Sequence, residues 1–365
     1  MVVLRFSASK VALVTGLHDF GDVAEELLDC VYQDREEMLA RDAARLQLRL
    51  VSKDEELEML VRKSGDAVAP QLRAALRWAN DRATPVHVEA AQRLLMGVDK
   101  QLTEAQKSKK LASEEAQQTR RLLVEKIHTS VGTRNESLAL EASAYERQTG
   151  AKVRLTNEHF YFLTFPPPSE TVDYSLLAGQ SQRTRVLKRQ IPETETMDMT
   201  MEDSDEDAQV SSNGYFTICG MVDGVTDALT ISVDDEWELT PVVVEVKNRM
   251  RGFRNPPPLY DHIQLAVYMK MLGVEHGDLV QCVYGADSRP TTQVSRVSLG
   301  VPPLCLPSSL TERGRDIWTE VIVPRLYAFT AAVQKLRNEE LLRLAFLNGT
   351  EKERLALLRT ECDFL

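Results

Sequence analysis

Cysteine and histidine are scarce in this sequence, and the pattern excludes several kinds of site. The chain of 365 residues has 5 cysteines and 6 histidines. No two cysteines have C-x-x-C spacing, so we expect neither a structural zinc site nor a disulfide framework. Scattered single cysteines are typical of a reducing compartment. They predict an intracellular protein, with the nucleus and the mitochondrion both open as locations.

Long apolar runs and a positive net charge are also missing. No run approaches the roughly 20 apolar residues that span a bilayer, so no membrane partner is expected. The formal net charge is -11, which argues against general electrostatic attraction to nucleic acid. The acids are unevenly spread, because eight of them lie within residues 193–207. A local basic groove is therefore compatible with the composition.

The remaining composition is that of a globular protein. Hydrophobic residues make up 43% of the chain and charged residues 27%, so a proper core can form. A chain of 365 residues can hold one large domain with insertions or two smaller domains.

The apolar pattern predicts helices first, strands next and helices again. Residues 9–32 are predicted to form two helices joined by a turn, and residues 34–127 to be helical nearly throughout. Strands are predicted within residues 159–165, 215–219, 228–233, 242–246 and 279–284. A helix over 261–272 lies between the last two strands, and a helical segment covers 317–358. This order predicts an α/β fold with a central mixed sheet flanked by helices.

Two segments look like insertions into such a fold. Residues 33–128 are predicted to be a large helical insertion. Its apolar stripe suits a coiled-coil arm or, more simply, the face of a bundle packed on its own domain. The stripe is Leu94, Val98, Leu102 and Ala105. Residues 166–213 lack periodicity and contain the acidic run, so they are predicted to be a disordered insertion.

Three charged residues near two predicted strands carry the chemistry. Asp223 follows one apolar run, and Glu245 and Lys247 alternate out of another. Side chains two apart on a strand share a face. Two carboxylates can hold Mg2+, or Mn2+ in its place, with the carbonyl of Val246 as a third ligand. Lys247 can orient the attacking water or neutralise charge in the transition state. The pattern predicts metal-dependent phosphodiester hydrolysis.

Each of these residues also has a plainer interpretation. A Glu-x-Lys pair can be an ordinary salt bridge on a half-buried strand. Asp227 could share a face with Asp223 and support the metal from a second shell. The arginines that follow, Arg249 and Arg251, could grip phosphates or lie in a solvated loop. Four residues apart on a helix, Gln264 and Tyr268 could contact substrate or be the polar tips of a packed helix.

Several short blocks, in this order, resemble the PD-(D/E)XK nuclease superfamily. Within it the chain is similar to the lambda-exonuclease-like family of YqaJ-type viral recombinases. The blocks are Phe6-Ser-Ala-Ser-Lys10, Gly132-Thr-Arg-Asn-Glu136, Gly220-Met-Val-Asp223, Glu245-Val-Lys247 and Gln264-x-x-x-Tyr268. The last block also resembles RecB-type nucleases and the mitochondrial genome maintenance exonuclease.

The resemblance implies an architecture and a set of site residues. The implied fold is a restriction-endonuclease-like core plus a large N-terminal helical insertion. Its parts are N-terminal core helices (1–32), the insertion (33–128), the nuclease core (129–345) and a helical tail (346–365). Glu136 is implied as a further catalytic and metal-binding residue, and Gln264 as a catalytic residue. Substrate-binding roles are assigned to Tyr268, Arg249, Arg251, Ser9 and Lys10.

The implied substrate is linear DNA with free ends. The implied activity is that of a Mg2+-dependent exonuclease in repair, recombination or genome maintenance. Lambda-type enzymes form rings, which makes a homo-oligomer an open expectation. Related RecB-type enzymes hold an iron-sulfur cluster with a tight group of cysteines. No such group occurs here, so no cluster is expected.

Two other functions stay open at this point. The nuclease fold could be a catalytically silent scaffold that binds a protein partner through the helical insertion or the acidic segment. Alternatively, the substrate could be RNA, because no residue that reads the 2′-hydroxyl can be located in the sequence.

Overall fold

The computed structural model describes residues 3–18, 20–81, 86–140, 145–155, 159–168, 180–185, 214–231, 237–284, 290–300 and 316–365. The chain begins with strand β1 (Leu4–Ser7) and a short 3-10 turn (Ala8–Lys10). The helices that follow are α1 (Val11–Val14), α2 (Val23–Tyr32), α3 (Glu36–Arg45), α4 (Lys53–Lys63), α5 (Ala69–Asn80), α6 (Val88–Lys107), α7 (Ser113–Leu140) and α8 (Tyr145–Thr149).

Strands dominate the next part of the chain, and helices complete it. The strands are β2 (Val153–Leu155), β3 (His159–Phe165), β4 (Gln180–Arg185), β5 (Phe216–Gly220), β6 (Gly224–Ile231), β7 (Trp237–Arg249), β8 (His276–Tyr284) and β9 (Pro290–Ser298). Helix α9 (Leu259–Leu272) lies between β7 and β8. A π-helical turn (Trp318–Ile322) leads into α10 (Val323–Asn338), α11 (Glu340–Asn348) and α12 (Glu351–Glu361). No described helix is both long enough and apolar enough to cross a membrane.

The described strands form two mixed sheets, where one central sheet was predicted. One sheet has the order β1-β5-β3-β4 and the other β2-β6-β7-β8-β9. The chain leaves the first sheet after Gly220 and enters the second at Gly224. Because only three residues join β5 to β6, this bend redirects the chain from one set of strand partners to the other. The α/β class is confirmed, and the single sheet is wrong.

The predicted pair of helices within residues 9–32 is present as α1 and α2, but a strand that was not predicted precedes it. Strand β1 pairs in parallel with β5, with Phe6 opposite Ile218. Its side chains alternate: Leu4 and Phe6 are buried, and Arg5 and Ser7 are exposed. Four residues are too few for this alternation to stand out in the sequence.

The helical segment before the sheets forms a bundle, as the simpler interpretation predicted. Helices α4 to α7 share one apolar cluster, which contains Val98, Leu102 and Ala105 of the predicted stripe. These residues therefore face the bundle interior and not the seam of an extended arm. A second cluster, which includes Ile127 and Val246, joins one end of the bundle to the β7–β8 face.

The predicted boundaries do not separate units of packing. The boundary at 128/129 falls inside α7, and the boundary at 345/346 falls inside α11. Phe346 and Leu358 of the predicted tail lie in the main core together with Phe6.

Part of the predicted disordered insertion is a strand. Residues 180–185 form β4, which pairs antiparallel with β3 from His159 to Thr164. The sequence of β4 is Gln-Ser-Gln-Arg-Thr-Arg, which has no apolar alternation. Strand pairing through the backbone does not require such alternation, which explains why the pattern missed it. The acidic run at 193–207 lies outside the described residues.

Candidate active site

The antiparallel pairing of β6 and β7 brings the two predicted metal-binding acids together. The pairing begins with Gly224 opposite Val244. Continued by one position, this register places Asp223, which directly precedes β6, opposite Glu245. The carboxylate of Asp223 accepts a hydrogen bond from the backbone N–H of Val246, with Oδ2 at 2.7 Å from N. Asp223 is thus held directly before β6, three residues after β5 ends.

Alternation along β7 determines which side chains reach this place. Val244 and Val246 pack in the cluster that joins the sheet to the helical bundle. Val243 lies on the opposite face, in the main core. Glu245 and Lys247 share the face of Val243, because side chains repeat every two residues along a strand. They therefore point toward α9, which crosses this face of the sheet.

A triangle of hydrogen bonds links Glu245, Lys247 and Gln264. Lys247 Nζ lies 2.8 Å from Glu245 Oε1 and 2.8 Å from Gln264 Oε1. Gln264 Nε2 donates to the same Glu245 oxygen at 2.7 Å. The amide of Gln264 donates on one side and accepts on the other, which holds the lysine and the carboxylate in one geometry. The same nitrogen lies 3.4 Å from the hydroxyl of Tyr268.

Two further polar residues extend this network, and the sequence did not single them out. Asp261 is 2% exposed and forms an ion pair with Arg249 Nη2. Its other oxygen lies 4.0 Å from Lys247 Nζ. Gln281 of β8 accepts a hydrogen bond from Arg249 Nε at 3.1 Å. Asp261 lies three residues before Gln264 on α9, and this helical spacing could have revealed it.

The pKa of Lys247 is raised by its surroundings. Burial disfavours the charged ammonium, but the carboxylates of Glu245, Asp261 and Asp223 outweigh that effect. Lys247 therefore keeps its proton at neutral pH and acts as a donor. The pKa of Tyr268 is also raised, first by burial and then by the charge of Glu245, so its hydroxyl stays protonated.

The network brings three carboxylates, those of Asp223, Glu245 and Asp261, close to the cations Lys247 and Arg249. Asp223 is partly exposed, and Glu245 is only 3% exposed, so solvent reaches the network on the side of Asp223. Carboxylate oxygens that solvent reaches are suitable ligands for a cation.

Close packing explains why position 220, the first of the Gly-Met-Val-Asp block, is a glycine. A Cβ atom at this position would lie 2.8 Å from Cε1 of Tyr268 and 3.2 Å from Cβ of Ala8. Only glycine lets the Tyr268 ring and the 3-10 turn approach the end of β5 this closely. The glycine of the block therefore seats the ring of Tyr268 next to Gln264.

Ser9 and Lys10, which follow Ala8 in the 3-10 turn, lie on the surface. Ser9 Oγ is 2.8 Å from Ser7 Oγ, and Lys10 Nζ is 2.6 Å from Glu26 Oε2. Both residues line a cavity of about 480 Å³ between the N-terminal helices and the helical bundle. Their predicted contact with substrate stays a prediction.

Glu136 and Arg251 complete the set of predicted site residues. Glu136 lies in α7, whose preceding turn is bonded to the sheet through Asn248 Nδ2 and the carbonyl of Gly132, 2.9 Å apart. The side chain of Glu136 lies outside the described residues, so its place at a metal is untested. Arg251 is exposed on the loop after β7. Its charge and, to a larger degree, burial lower the pKa of His128.

The structure thus brings Asp223, Glu245, Lys247, Gln264 and Tyr268 into one network. Arg249, predicted to grip substrate, is instead bonded to Asp261 and Gln281. Among the described side chains, no group of three or more His, Cys, Asp or Glu residues could hold a metal ion. Apart from Glu136, whose side chain lies outside the described residues, an ion at the two acids would need backbone, water or substrate oxygens as further ligands. No protein-family model, curated protein or solved structure matches this chain.

Proposed function

We propose that this protein is a Mg2+-dependent deoxyribonuclease with a restriction-endonuclease-like core. The observation that carries the proposal is the position of Asp223 opposite Glu245, with Lys247 and Gln264 both bonded to one Glu245 oxygen. An ordinary salt bridge on a strand needs only the acid and the base. Here a glutamine from a separate helix fixes both partners beside a second carboxylate, as a pre-organised site requires.

The residues at this place suit a magnesium ion. Mg2+ prefers oxygen ligands and is commonly held by one or two carboxylates, with waters and substrate phosphates completing the shell. Asp223 and Glu245 would hold it, with the Val246 carbonyl and Glu136 as further oxygen donors, and Mn2+ could take its place. When bound, the ion supplies an activated water and neutralises charge on the scissile phosphate.

The remaining residues of the network would position the reacting groups and neutralise charge on the phosphate. Lys247 is protonated, so it would donate to the attacking water or to an oxygen of the phosphate as negative charge builds up. Gln264 holds Lys247 against Glu245. Asp261 lies 4.0 Å from Lys247 and forms an ion pair with Arg249. Its carboxylate therefore helps to compensate the buried charge of Lys247.

The choice of DNA ends as substrate rests on the order of the sequence blocks. Blocks with Glu136, Asp223, Glu245 and Gln264 follow one another as in lambda-exonuclease-like enzymes. By this resemblance the activity is that of an exonuclease on linear DNA, serving repair, recombination or genome maintenance.

A time course of digestion tests the proposal. Linear, nicked and circular DNA of one sequence, labelled at the 5′ or the 3′ end, and the matching RNA are incubated with Mg2+, Mn2+ or EDTA. We expect label to be released from linear DNA only when a metal is present, while circular DNA stays intact. Digestion of RNA alone would replace DNA as the substrate. Absence of cleavage under every condition would refute the nuclease and favour a silent scaffold.

A further inference from the structure

A group of aromatic and cationic side chains lies beside the start of α9. The rings of His18 and Tyr260 are stacked with their centroids 4.2 Å apart. Arg254 Nη1 donates to the hydroxyl of Tyr260 at 2.7 Å. The backbone N–H of Phe20 donates to Nδ1 of His18 at 3.2 Å, and the side chain of Phe20 is 81% exposed. We refer to His18, Phe20, Arg254 and Tyr260 as the aromatic platform.

The aromatic platform is fixed to the candidate active site by two connections. Tyr260 directly precedes Asp261, which pairs with Arg249. Gln281 bonds both backbone groups of Arg254, at 3.0 Å to its N–H and 2.9 Å to its carbonyl, and also bonds Arg249. The loop that carries Arg254 is therefore held by the same glutamine that holds the network.

The chemistry of the aromatic platform fits one class of ligand. An exposed aromatic ring such as Phe20 can stack on a nucleobase only when a face of that base is uncovered, as in a single strand. The exposed guanidinium of Arg254 suits the phosphate backbone of the same strand. Acids also lie near the platform: Glu25 and Glu26 pair with Lys53 and Lys10 at 2.8 and 2.6 Å, and Asp22 and Asp29 line the same cavity as His18 and Phe20. Stacking on the aromatic ring, more than net charge, therefore supports binding.

We infer that the aromatic platform binds unpaired nucleotides of single-stranded DNA next to the candidate active site. The substrate is then a single strand or a DNA end whose bases have separated. This inference rests on the proposed nuclease function, because it names the form of DNA that the same site receives.

Binding without cleavage tests the inference. Fluorescence anisotropy is measured with a labelled oligo-dT and with an abasic oligonucleotide of the same length, using protein in which Asp223→Asn prevents turnover. We expect Phe20→Ala and His18→Ala each to weaken oligo-dT binding about tenfold, and to leave abasic binding unchanged. Trp237→Ala, which removes another exposed aromatic side chain (69% exposed), is the matched control and should bind oligo-dT normally.

Unchanged oligo-dT binding by both platform variants would overturn the inference, and so would an equal loss of abasic binding. Circular dichroism of His18→Ala, in which a stacked ring is removed, checks the fold. Phe20→Ala changes an exposed side chain, so we expect no effect of this substitution on the fold.

Cleavage by the same variants with Asp223 intact separates the two proposals. If the protein binds oligo-dT through the aromatic platform but cleaves no nucleic acid, the nuclease proposal fails and the platform stands. If kcat/KM on oligo-dT is equal in the wild type, Phe20→Ala and His18→Ala, the platform fails and the nuclease proposal stands.

Discussion

Two clusters of charge lie in different parts of this molecule, and they differ in their access to solvent. In the first, Arg343 of α11 faces Asp42 of α3, with Nε 2.5 Å from Oδ2 and Nη2 3.3 Å from Oδ1. Its Nη1 donates to the carbonyl of Arg337 at 2.9 Å. Tyr32 of α2 donates its hydroxyl to Asp42 at 3.1 Å. Every nitrogen of the Arg343 guanidinium has an acceptor, and the exposed Arg41 lies 3.8 Å from the same carboxylate.

The candidate active site differs because solvent reaches one of its acids, Asp223, which is partly exposed. Buried ion pairs contribute to stability only when each charge is compensated and hydrogen bonded. The Asp42 cluster meets this condition and joins four helices. In the candidate site, the acids of the network remain accessible to a cation from solvent. The comparison therefore sets a buried structural ion pair against a group of acids that we propose to bind a metal.

Loss of DNA cleavage in site variants is the largest effect that we expect. Asp223→Asn removes a charged ligand of the proposed metal ion, and Lys247→Met removes the donor, so each should lower Mg2+-dependent digestion of linear DNA by roughly a thousandfold. Release of an end label measures it. Matched surface variants are Asp99→Asn, whose partner is Arg120, and Lys335→Met, whose partner is Glu361. Full activity in either site variant would remove the proposed mechanism.

Substitution in the Asp42 cluster should change the stability of the protein. Asp42→Asn leaves the guanidinium of Arg343, which is 4% exposed, without its counter-charge. We expect the free energy of unfolding to fall by about 3–5 kcal/mol, as for other broken buried pairs. Urea denaturation followed by circular dichroism measures this change. A fall below about 1 kcal/mol would mean that the pair is no better than one on the surface.

Low pH should remove the contribution of the Asp42–Arg343 pair to the free energy of unfolding. Burial opposes the charged form of Asp42, but the hydrogen bonds from Arg343 and Tyr32 outweigh it, so its pKa lies below the ordinary 3.8. A group with a lowered pKa stabilises the folded state fully above the unfolded value and loses this effect as pH falls through the folded value. The difference in unfolding free energy between wild type and Asp42→Asn should therefore stay constant down to pH 3.8 and shrink below it. A difference that began to shrink at neutral pH would contradict this assignment.

The smallest expected effect is the change in stability caused by Asp223→Asn. The asparagine oxygen can still accept from the N–H of Val246, while one of three neighbouring negative charges, those of Asp223, Glu245 and Asp261, disappears. We expect the free energy of unfolding to change by less than about 1 kcal/mol, in the stabilising direction, since functional sites often sacrifice stability. A destabilisation as large as that of Asp42→Asn would erase the distinction between the two clusters. Both variants are compared in one urea series without added metal.

The sequence predicted those parts of the fold that repeat a pattern over many residues. Strand β3 has the predicted bounds because aromatic and apolar residues fill it from His159 to Phe165. The helical bundle was recognisable from about ninety residues of helix-favouring sequence. Strands β1, β2, β4 and β9 escaped detection because they are short or polar. The partner of β1, strand β5, also lies far along the chain.

Part of the candidate site could be predicted from local spacing, and the rest depends on contacts between distant segments. Glu245 and Lys247 could be found because spacing along one strand places them on one face. Asp261 could have been found from its spacing to Gln264 on one helix, but Gln281 could not be assigned, because its role depends on how β7 and β8 pair. The division into two sheets was also not predicted, because no local pattern shows that the strands on either side of residues 221–223 have different partners. Contacts between distant segments decide these features, and local patterns do not encode them.

Magnesium binding by isothermal titration calorimetry tests the central claim most directly. Wild type, Asp223→Asn and the surface control Asp99→Asn are titrated with Mg2+ under identical conditions. We predict that the wild type and Asp99→Asn bind one ion each, and that Asp223→Asn binds at least about tenfold more weakly, a loss of about 1.4 kcal/mol. Equal binding by all three proteins would contradict the claim that Asp223 and Glu245 form a metal site.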